Sequence, residues 1–146
     1  MKRSVIQKGA AMVEFAIVLP LFIVLVFGII EFSLMLFDQA VITNASREAA
    51  RSAIAFRNPK LTIAQIKDVA INYCSTHLIS FGAGAIPSVD ILPKPSPLTD
   101  PITNTAGASI TTTVTYPYNF LVFSGLTGGL IDNPKTLSAT TVMNNE

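Results

Sequence analysis

The chain opens with a long apolar stretch and continues with segments of mixed polarity. Residues 10–30 form 21 consecutive positions with a single charged side chain, Glu14. A helix rises about 1.5 Å per residue, so this stretch is long enough to cross the roughly 30 Å hydrocarbon core of a bilayer. The pattern predicts one membrane-spanning helix near the N-terminus, ending between residues 30 and 37.

Beyond the span the pattern becomes amphipathic, and Asn58-Pro59 predicts its end. One unbroken helix over residues 10–57 would be about 72 Å long. Pro20 removes a backbone donor and predicts a kink, although Pro is also common in membrane helices. Apolar residues recur at spacings of three and four, which is typical of a helix with one buried face. This predicted buried stripe consists of Val41, Ile42, Ala45, Ala49, Ala53 and Phe56.

A second, shorter helix is predicted after this boundary. Thr62 and Gln65 have the spacing of a capping box, and the apolar positions that follow keep helical periodicity to about residue 79. The next segment, residues 81–107, is rich in proline. It leaves room only for a short strand near residues 89–92.

The last part of the chain is typical of a β-sheet. Residues 108–116 and 136–143 alternate and are rich in β-forming side chains, and Pro117 is expected to close the first strand. The apolar segment 120–130 predicts a short helix or a loop. Together with the helices, these segments predict an α+β fold with a small antiparallel sheet of two to four strands.

The chain has 146 residues, which leaves room for one small domain outside the membrane. We expect a basic leader over residues 1–9, a long helix over residues 10–57, and a small extracytoplasmic α+β domain over residues 58–146.

The charges are distributed unevenly. Lys2, Arg3 and Lys8 precede the span, whereas the remainder carries seven basic and nine acidic residues. A mildly acidic remainder argues against a nucleic-acid partner, which needs a basic face. Basic residues that flank a first span stay in the cytoplasm, so the C-terminal domain is expected outside. Glu31 and Asp38, beyond the span, agree with this orientation.

Two simpler explanations also fit a basic leader followed by an apolar stretch. A secretory signal peptide has the same order of charges and apolar residues, but its apolar region is shorter and ends at a small-residue cleavage site. The end of this stretch, GIIEFSLMLF, offers no such site. An uncleaved signal-anchor remains the second alternative.

The motif GAAMVEF at residues 9–15, followed by AIVLPLFIVLVFGIIEF, resembles the N-terminus of TadE-like minor pseudopilins of the Tad (Flp-type) pilus. The resemblance implies a type IV pilin-like architecture and cleavage by a prepilin peptidase after Gly9. Ala10 would become the first mature residue, Glu14 the fifth, and Phe15 the sixth, which the peptidase recognises. Gly9 suits such a site because backbone without a Cβ can extend into a protease cleft.

Three later segments extend the resemblance. They are NASREAAR at residues 44–51, TVTYPY at residues 113–118, and SATTVMNNE at residues 138–146. Between these segments the resemblance says nothing.

Glu14 needs an explanation, because a charged side chain in the bilayer centre costs roughly 2.5–3.5 kcal/mol. Cleavage after Gly9 would create a cation, the α-amino group of Ala10, which is largely protonated at neutral pH. Glu14 could pair with this amine one helical turn away in its own chain, or with that of a neighbour. The resemblance implies the second pairing, which sets the axial register of an assembly. The alternative is a Glu14 that reaches back to the cytoplasmic headgroups.

Other candidate chemistry is weak. The single cysteine, Cys74, excludes an intramolecular disulfide. Cys74 and His77 lie one helical turn apart, but two ligands do not make a zinc site. Gly82 and Gly84 lack the rest of a phosphate-binding fingerprint. With one histidine and no nucleophile motif, we expect a protein that is not an enzyme and uses no metal or cofactor.

The resemblance therefore implies a minor pseudopilin of Tad pilus assembly and surface adhesion, as a structural or initiating component in the bacterial inner membrane. Its expected partners are the prepilin peptidase, other Tad or Flp pilins and pseudopilins, the inner-membrane assembly platform and the lipid bilayer. No nucleic acid or small-molecule substrate is expected. The alternatives are a permanently anchored binding or adhesin module and a pseudopilin of a type II secretion system.

Overall fold

The computed structural model describes residues 3–55, 59–80, 85–93, 108–122, 125 and 133–144, with side chains from residue 9 onward. Two helices and an antiparallel sheet make up these residues, which confirms the predicted α+β fold. In chain order the elements are α1 (Arg3–Ile54), α2 (Ile63–His77), β1 (Ser88–Leu92), β2 (Ser109–Tyr118) and β3 (Lys135–Asn144).

Helix α1 has 52 residues and is about 78 Å long. It begins at Arg3 rather than at residue 10, because the leader contains no proline and its glycine, Gly9, is accommodated within the helix. It ends at Ile54, three residues earlier than predicted, and residues 56–58 lie outside the described part. The helix continues through Pro20, and a kink there stays a prediction.

Burial divides α1 into two parts. No residue from 9 to 30 is buried, and this part is apolar and long enough to cross a membrane. From Glu31 onward one face of the helix is buried under the rest of the fold. The predicted stripe is confirmed apart from Phe56, which lies outside the described residues. The buried positions are Glu31, Asp38, Val41, Ile42, Ala45, Ser46, Ala49, Ala50 and Ala53.

Helix α2 begins at the predicted capping box. The backbone N–H of Thr62 donates to Oε1 of Gln65 at 2.9 Å, and the backbone N–H of Gln65 donates to Oγ1 of Thr62 at 3.3 Å. These two bonds satisfy donors that the first helical turn leaves open. The helix ends at His77, because Leu78 is extended and its N–H donates to the carbonyl of Cys74 at 2.8 Å.

The three strands of the described sheet are antiparallel, in the order β1-β2-β3. Val114 at the centre lies opposite Val89 of β1 and Ala139 of β3. All three strands were predicted near their observed positions. Gly82 and Gly84, most of the apolar segment 120–130, and most of the proline-rich segment lie outside the described residues.

The prediction that Pro117 closes β2 was wrong. The strand continues to Tyr118, and Pro117 lies opposite Thr136 of β3. Strand β1 begins at Ser88, opposite Thr115, so β2 has no described neighbour on that side beyond this point. Proline is tolerated there because no strand of the described residues pairs with that side of β2.

Both helices cover the same face of the sheet. Helix α1 packs on β2 and β3, and α2 packs against α1 and β1. Every second residue of β2 faces the helices and is buried, and each large apolar side chain removed from water contributes about 1.5–3 kcal/mol. The half of α1 beyond Glu31 thus belongs to the same core as the sheet. The core includes Ile42, Ala45, Ala49, Ile63, Ile66, Ala70, Ile91, Ile110, Val114 and Tyr116.

Candidate functional site

The predicted processing residues lie together on the first turns of the apolar half of α1. The helix runs through the Gly9-Ala10 bond without a break. A Cβ placed on Gly9 would meet nothing within 4 Å, and Phe15 is exposed. A peptidase that binds extended backbone would therefore have to unwind this turn.

The leader charges are described only in part. Lys2 lies outside the described residues, and Arg3 and Lys8 are described as helical backbone without their side chains. Their role in orienting the span stays a prediction.

Glu14 lies one turn beyond Ala10 on the exposed surface of α1. Among the described residues, no hydrogen bond or ion pair reaches its carboxylate. In the uncut chain the nitrogen of Ala10 is an uncharged peptide nitrogen. The structure thus places Gly9, Ala10, Glu14 and Phe15 on one short stretch and offers Glu14 no partner there.

A second cluster of polar groups lies where the apolar half of α1 ends. The buried carboxylate of Glu31 accepts hydrogen bonds from two successive backbone N–H groups, those of Leu121 and Val122. The bond from Val122 to Oε2 is 3.0 Å long. The hydroxyl of Tyr118 donates to the backbone carbonyl of Glu31 at 3.3 Å. We call this arrangement the Glu31 clamp, because it fixes the segment after β2 to α1.

The clamp changes the acidity of the tyrosine beside it. Burial, followed by the negative charges of Glu31 and Asp38, raises the pKa of Tyr118 to about 12. The phenol therefore keeps its proton at physiological pH and remains a hydrogen-bond donor.

Asp38, two turns beyond Glu31, is fully buried. Its Oδ1 accepts a hydrogen bond from the backbone N–H of Ile79 at 3.1 Å, which ties the end of α2 to α1. Within the described residues, Oδ2 has no hydrogen-bond partner. Burial raises the pKa of the Asp38 carboxyl, and the bond from Ile79 only partly opposes this shift.

A cavity of about 420 Å³ lies between α2, residues 85–87 and β2. Its walls are mainly apolar and include Cys74, Leu78, Ile86 and Tyr116. Burial raises the pKa of the Cys74 thiol to about 11. Burial, Asp38 and Cys74 together raise the pKa of Tyr116.

Cys74 and His77 do not form a common site. The cysteine is buried in the core, whereas the imidazole of His77 is exposed and stacks on the ring of Tyr73 at 4.4 Å between centroids. Although Cys74 and His77 lie one helical turn apart, their side chains therefore lie in two different environments.

Sequence reasoning missed the structural roles of Glu31 and Asp38, which it treated only as signs of orientation. A signal was present, because Asp38 lies four residues before Ile42 and Glu31 lies seven residues earlier. Both acids therefore continue the helical spacing of the buried stripe. Their partners, however, lie 41 to 91 positions away along the chain.

The comparisons with known proteins add one finding. The family model described as TadE-like protein matches residues 9–51, which include the predicted processing residues and both buried acids. This match confirms the family resemblance that the sequence motif indicates. No curated protein and no solved structure matches the chain.

Proposed function

We propose, from the match of residues 9–51 to the TadE-like family model, that this chain is a minor pseudopilin processed after Gly9. The family relates the chain to the Tad pilus, and its long apolar helix fits a single-pass membrane protein in a pilus system. In this proposal the domain beyond Glu31 is extracytoplasmic, and the chain is a structural or initiating component of pilus assembly.

The observation that carries the proposal is the exposed, unpaired carboxylate of Glu14 inside the apolar half of α1. A charge left alone at the bilayer centre costs about 2.5–3.5 kcal/mol, and Glu14, one turn inside the span, carries part of that cost. Scission between Gly9 and Ala10 creates an ammonium group that offsets this cost. When the ammonium belongs to a neighbouring subunit, the pair also fixes the axial position of one helix against the next.

The surroundings of Glu14 support an intermolecular contact. None of the residues from 9 to 30 is buried within the chain, so the whole apolar surface is available to lipid or to other helices. The proposed partners are therefore other pilins and pseudopilins, reached after the prepilin peptidase has acted.

N-terminal mass spectrometry of the protein from its native cells tests the processing step. The proposal expects a mature chain that begins at Ala10. A chain that keeps its first nine residues would overturn the proposal and favour a permanently anchored binding module.

A variant separates recognition by the peptidase from damage to the fold. Gly9→Leu adds a side chain where a Cβ meets nothing within 4 Å, so the helix and the domain should remain intact. We expect this variant to keep its leader while circular dichroism matches that of the wild type. Normal scission of Gly9→Leu would contradict a requirement for glycine.

Phe15→Leu tests the second recognition residue against a matched control. Phe15 is 64% exposed and Phe22 is 60% exposed on the same apolar half of α1. We expect slower scission in Phe15→Leu and an unchanged rate in Phe22→Leu. Equal rates in the two variants would remove the recognition role of Phe15.

A further inference from the structure

We propose that the end of the domain nearest the span rests on the bilayer surface, with Leu121 inserted into the layer between the headgroups and the acyl chains. This inference rests on the proposed function only in requiring that α1 spans a membrane. It concerns the protein while it resides there.

Hydrogen bonds show which end of the domain faces the span. Glu31, where the apolar half of α1 ends, contacts Tyr118 at the end of β2. Further along α1, Gln39 donates to the carbonyl of Ser138 at 3.0 Å, and the hydroxyls of Ser46 and Thr141 lie 2.7 Å apart. Strand β3 therefore runs away from the span alongside α1, and its first residues lie nearest the membrane.

Exposed apolar side chains lie at this near end. Leu121, beside the Glu31 clamp, is 54% exposed. Ile79 follows α2 at the level of Asp38, and Ile86 lines the cavity beside Tyr116. We call these three residues, Ile79, Ile86 and Leu121, the apolar rim. They would leave water if the near end touched the bilayer.

Helix α1 also indicates that the bilayer surface lies at the near end of the domain. On its exposed side the apolar surface continues beyond Glu31 through Phe32, Leu36 and Phe37. From Ala10 to Phe37 the helix is about 42 Å long, which matches the roughly 40–45 Å of a bilayer with its headgroups. The Glu31 clamp would then lie at the depth of the interfacial layer.

The charges of the described residues favour a lipid surface. The two acids at the near end, Glu31 and Asp38, are buried, whereas Lys135 is exposed there opposite Tyr118. A lysine near an anionic membrane surface contributes about 1 kcal/mol of attraction.

The exposed acids of the described part of the domain, beyond Glu31, lie further from the span. Glu48 is 17 residues, or about 25 Å, beyond Glu31 along α1. Asp90 lies opposite Thr113, about 16 Å before Tyr118 along β2. Asp68 lies three turns before Ile79 on α2. At the near end of the domain this distribution brings an exposed cation, and no described exposed acid, to the bilayer surface.

Tryptophan fluorescence offers a direct test, because the chain contains no tryptophan. Full-length variants Leu121→Trp, Ile86→Trp, Val142→Trp and Leu21→Trp each carry one reporter. They are reconstituted at one copy per nanodisc of phosphatidylcholine and phosphatidylglycerol, with and without bromine on the acyl carbons nearest the headgroups. For Leu21→Trp, which lies near the middle of the span, the bromine is on the terminal acyl carbons instead. Val142 is the matched control, because it is 59% exposed but lies at the far end of β3, opposite Thr111.

We expect bromine to lower the fluorescence of Leu121→Trp about twofold, as for a side chain held within the interfacial layer, and to leave Val142→Trp unchanged. Ile86→Trp provides a second rim reporter if Leu121→Trp does not fold. Quenching of Leu21→Trp alone overturns the inference and leaves the membrane span intact. An unquenched Leu21→Trp overturns the span and, with it, the proposed function. Discs that hold several copies provide a further comparison. If the rim reporters are shielded from water only in those discs, the apolar rim contacts a second copy, and the lipid contact is overturned.

Discussion

The carboxylate of Glu31 and the backbone N–H of Val122 are 3.0 Å apart, although 91 positions separate them in the chain. The second oxygen of the same carboxylate accepts from the N–H of Leu121. One buried side chain therefore satisfies two backbone donors just after β2. This links the edge of the domain to the helix at the point where the apolar half of α1 ends.

Removing the Glu31 carboxylate should loosen this edge. We expect Glu31→Ala to lower the free energy of unfolding of the domain by about 1–3 kcal/mol for each donor that loses its acceptor. Glu31→Gln should cost less, because one oxygen remains. Denaturant unfolding of the detergent-solubilised chain, followed by near-ultraviolet circular dichroism, measures both values.

Glu48→Gln is the matched control for Glu31. Its carboxylate is exposed and paired with Arg51 only at 3.9 Å, so its loss should change the stability by less than about 1 kcal/mol. Equal effects of the substitutions at Glu31 and Glu48 would refute the stabilising role of the Glu31 clamp.

The stability of the domain should depend on pH through Asp38. Burial raises the pKa of this carboxyl above its ordinary value of 3.8, so the folded state holds a proton that the unfolded chain releases. The stabilisation from this proton is complete below pH 3.8 and is lost as the pH rises through the raised pKa. Asp38→Asn keeps an acceptor for Ile79 and does not titrate. Its stability relative to the wild type should therefore increase from acidic to neutral pH.

Unfolding midpoints measured over this pH range check the prediction. Asp68→Asn is the control, because Asp68 is an exposed acid on α2. If the difference in stability between Asp38→Asn and the wild type is constant with pH, the pKa of Asp38 is the same in the folded and unfolded states, which contradicts the prediction.

Cys74 should report the opening of the core. Alkylation requires the thiolate, and burial raises the pKa of this thiol to about 11. At neutral pH the thiolate population is then on the order of 10²-fold lower than for an ordinary cysteine. We expect slow reaction with iodoacetamide in the native protein, and faster reaction in Glu31→Ala if loss of the clamp opens the core.

Thr76→Cys in a Cys74→Ala background is the matched control. Residue 76 lies on the exposed side of the same helix, so a thiol there should react quickly in the native state. Rapid native alkylation of Cys74 itself would contradict its burial.

Glu14 should matter for assembly and not for insertion. We expect Glu14→Ala and Glu14→Gln to reach the membrane fraction and to lose their leader normally, but to disappear from purified pili or pilus assembly complexes. Glu14→Asp keeps the charge and should retain part of the incorporation. Quantitative mass spectrometry of membranes and purified assemblies measures both steps, and normal incorporation of Glu14→Ala would remove the proposed pairing role.

Local signals account for most of what the sequence predicted correctly. The capping box at Thr62 and Gln65 involves residues three apart, and the alternation along β3 follows from the strand geometry alone. The stripe from Val41 to Ala53 repeats with the period of a single helix. These features could be found because each depends on neighbours in the sequence.

The features that were missed depend on distant contacts. Pro117 is tolerated in β2 because β1 pairs with that strand only as far as Thr115, and no local pattern sets where a partner strand begins. Glu31 and Asp38 are buried because backbone donors far along the chain meet their carboxylates. The motif around Gly9 and Glu14 can be recognised in the sequence, but its proposed role involves a peptidase and other chains.

Helix α1 connects the span to the sheet without a hinge or a loop between them. The helix therefore couples the span to the domain, so a translation or rotation of the span along the helix axis is transmitted to the domain. In a helical array of such chains, the packing of the spans sets the axial shift and the rotation between neighbours. Neighbouring domains would then be shifted and rotated by the same amounts as the spans to which they are joined.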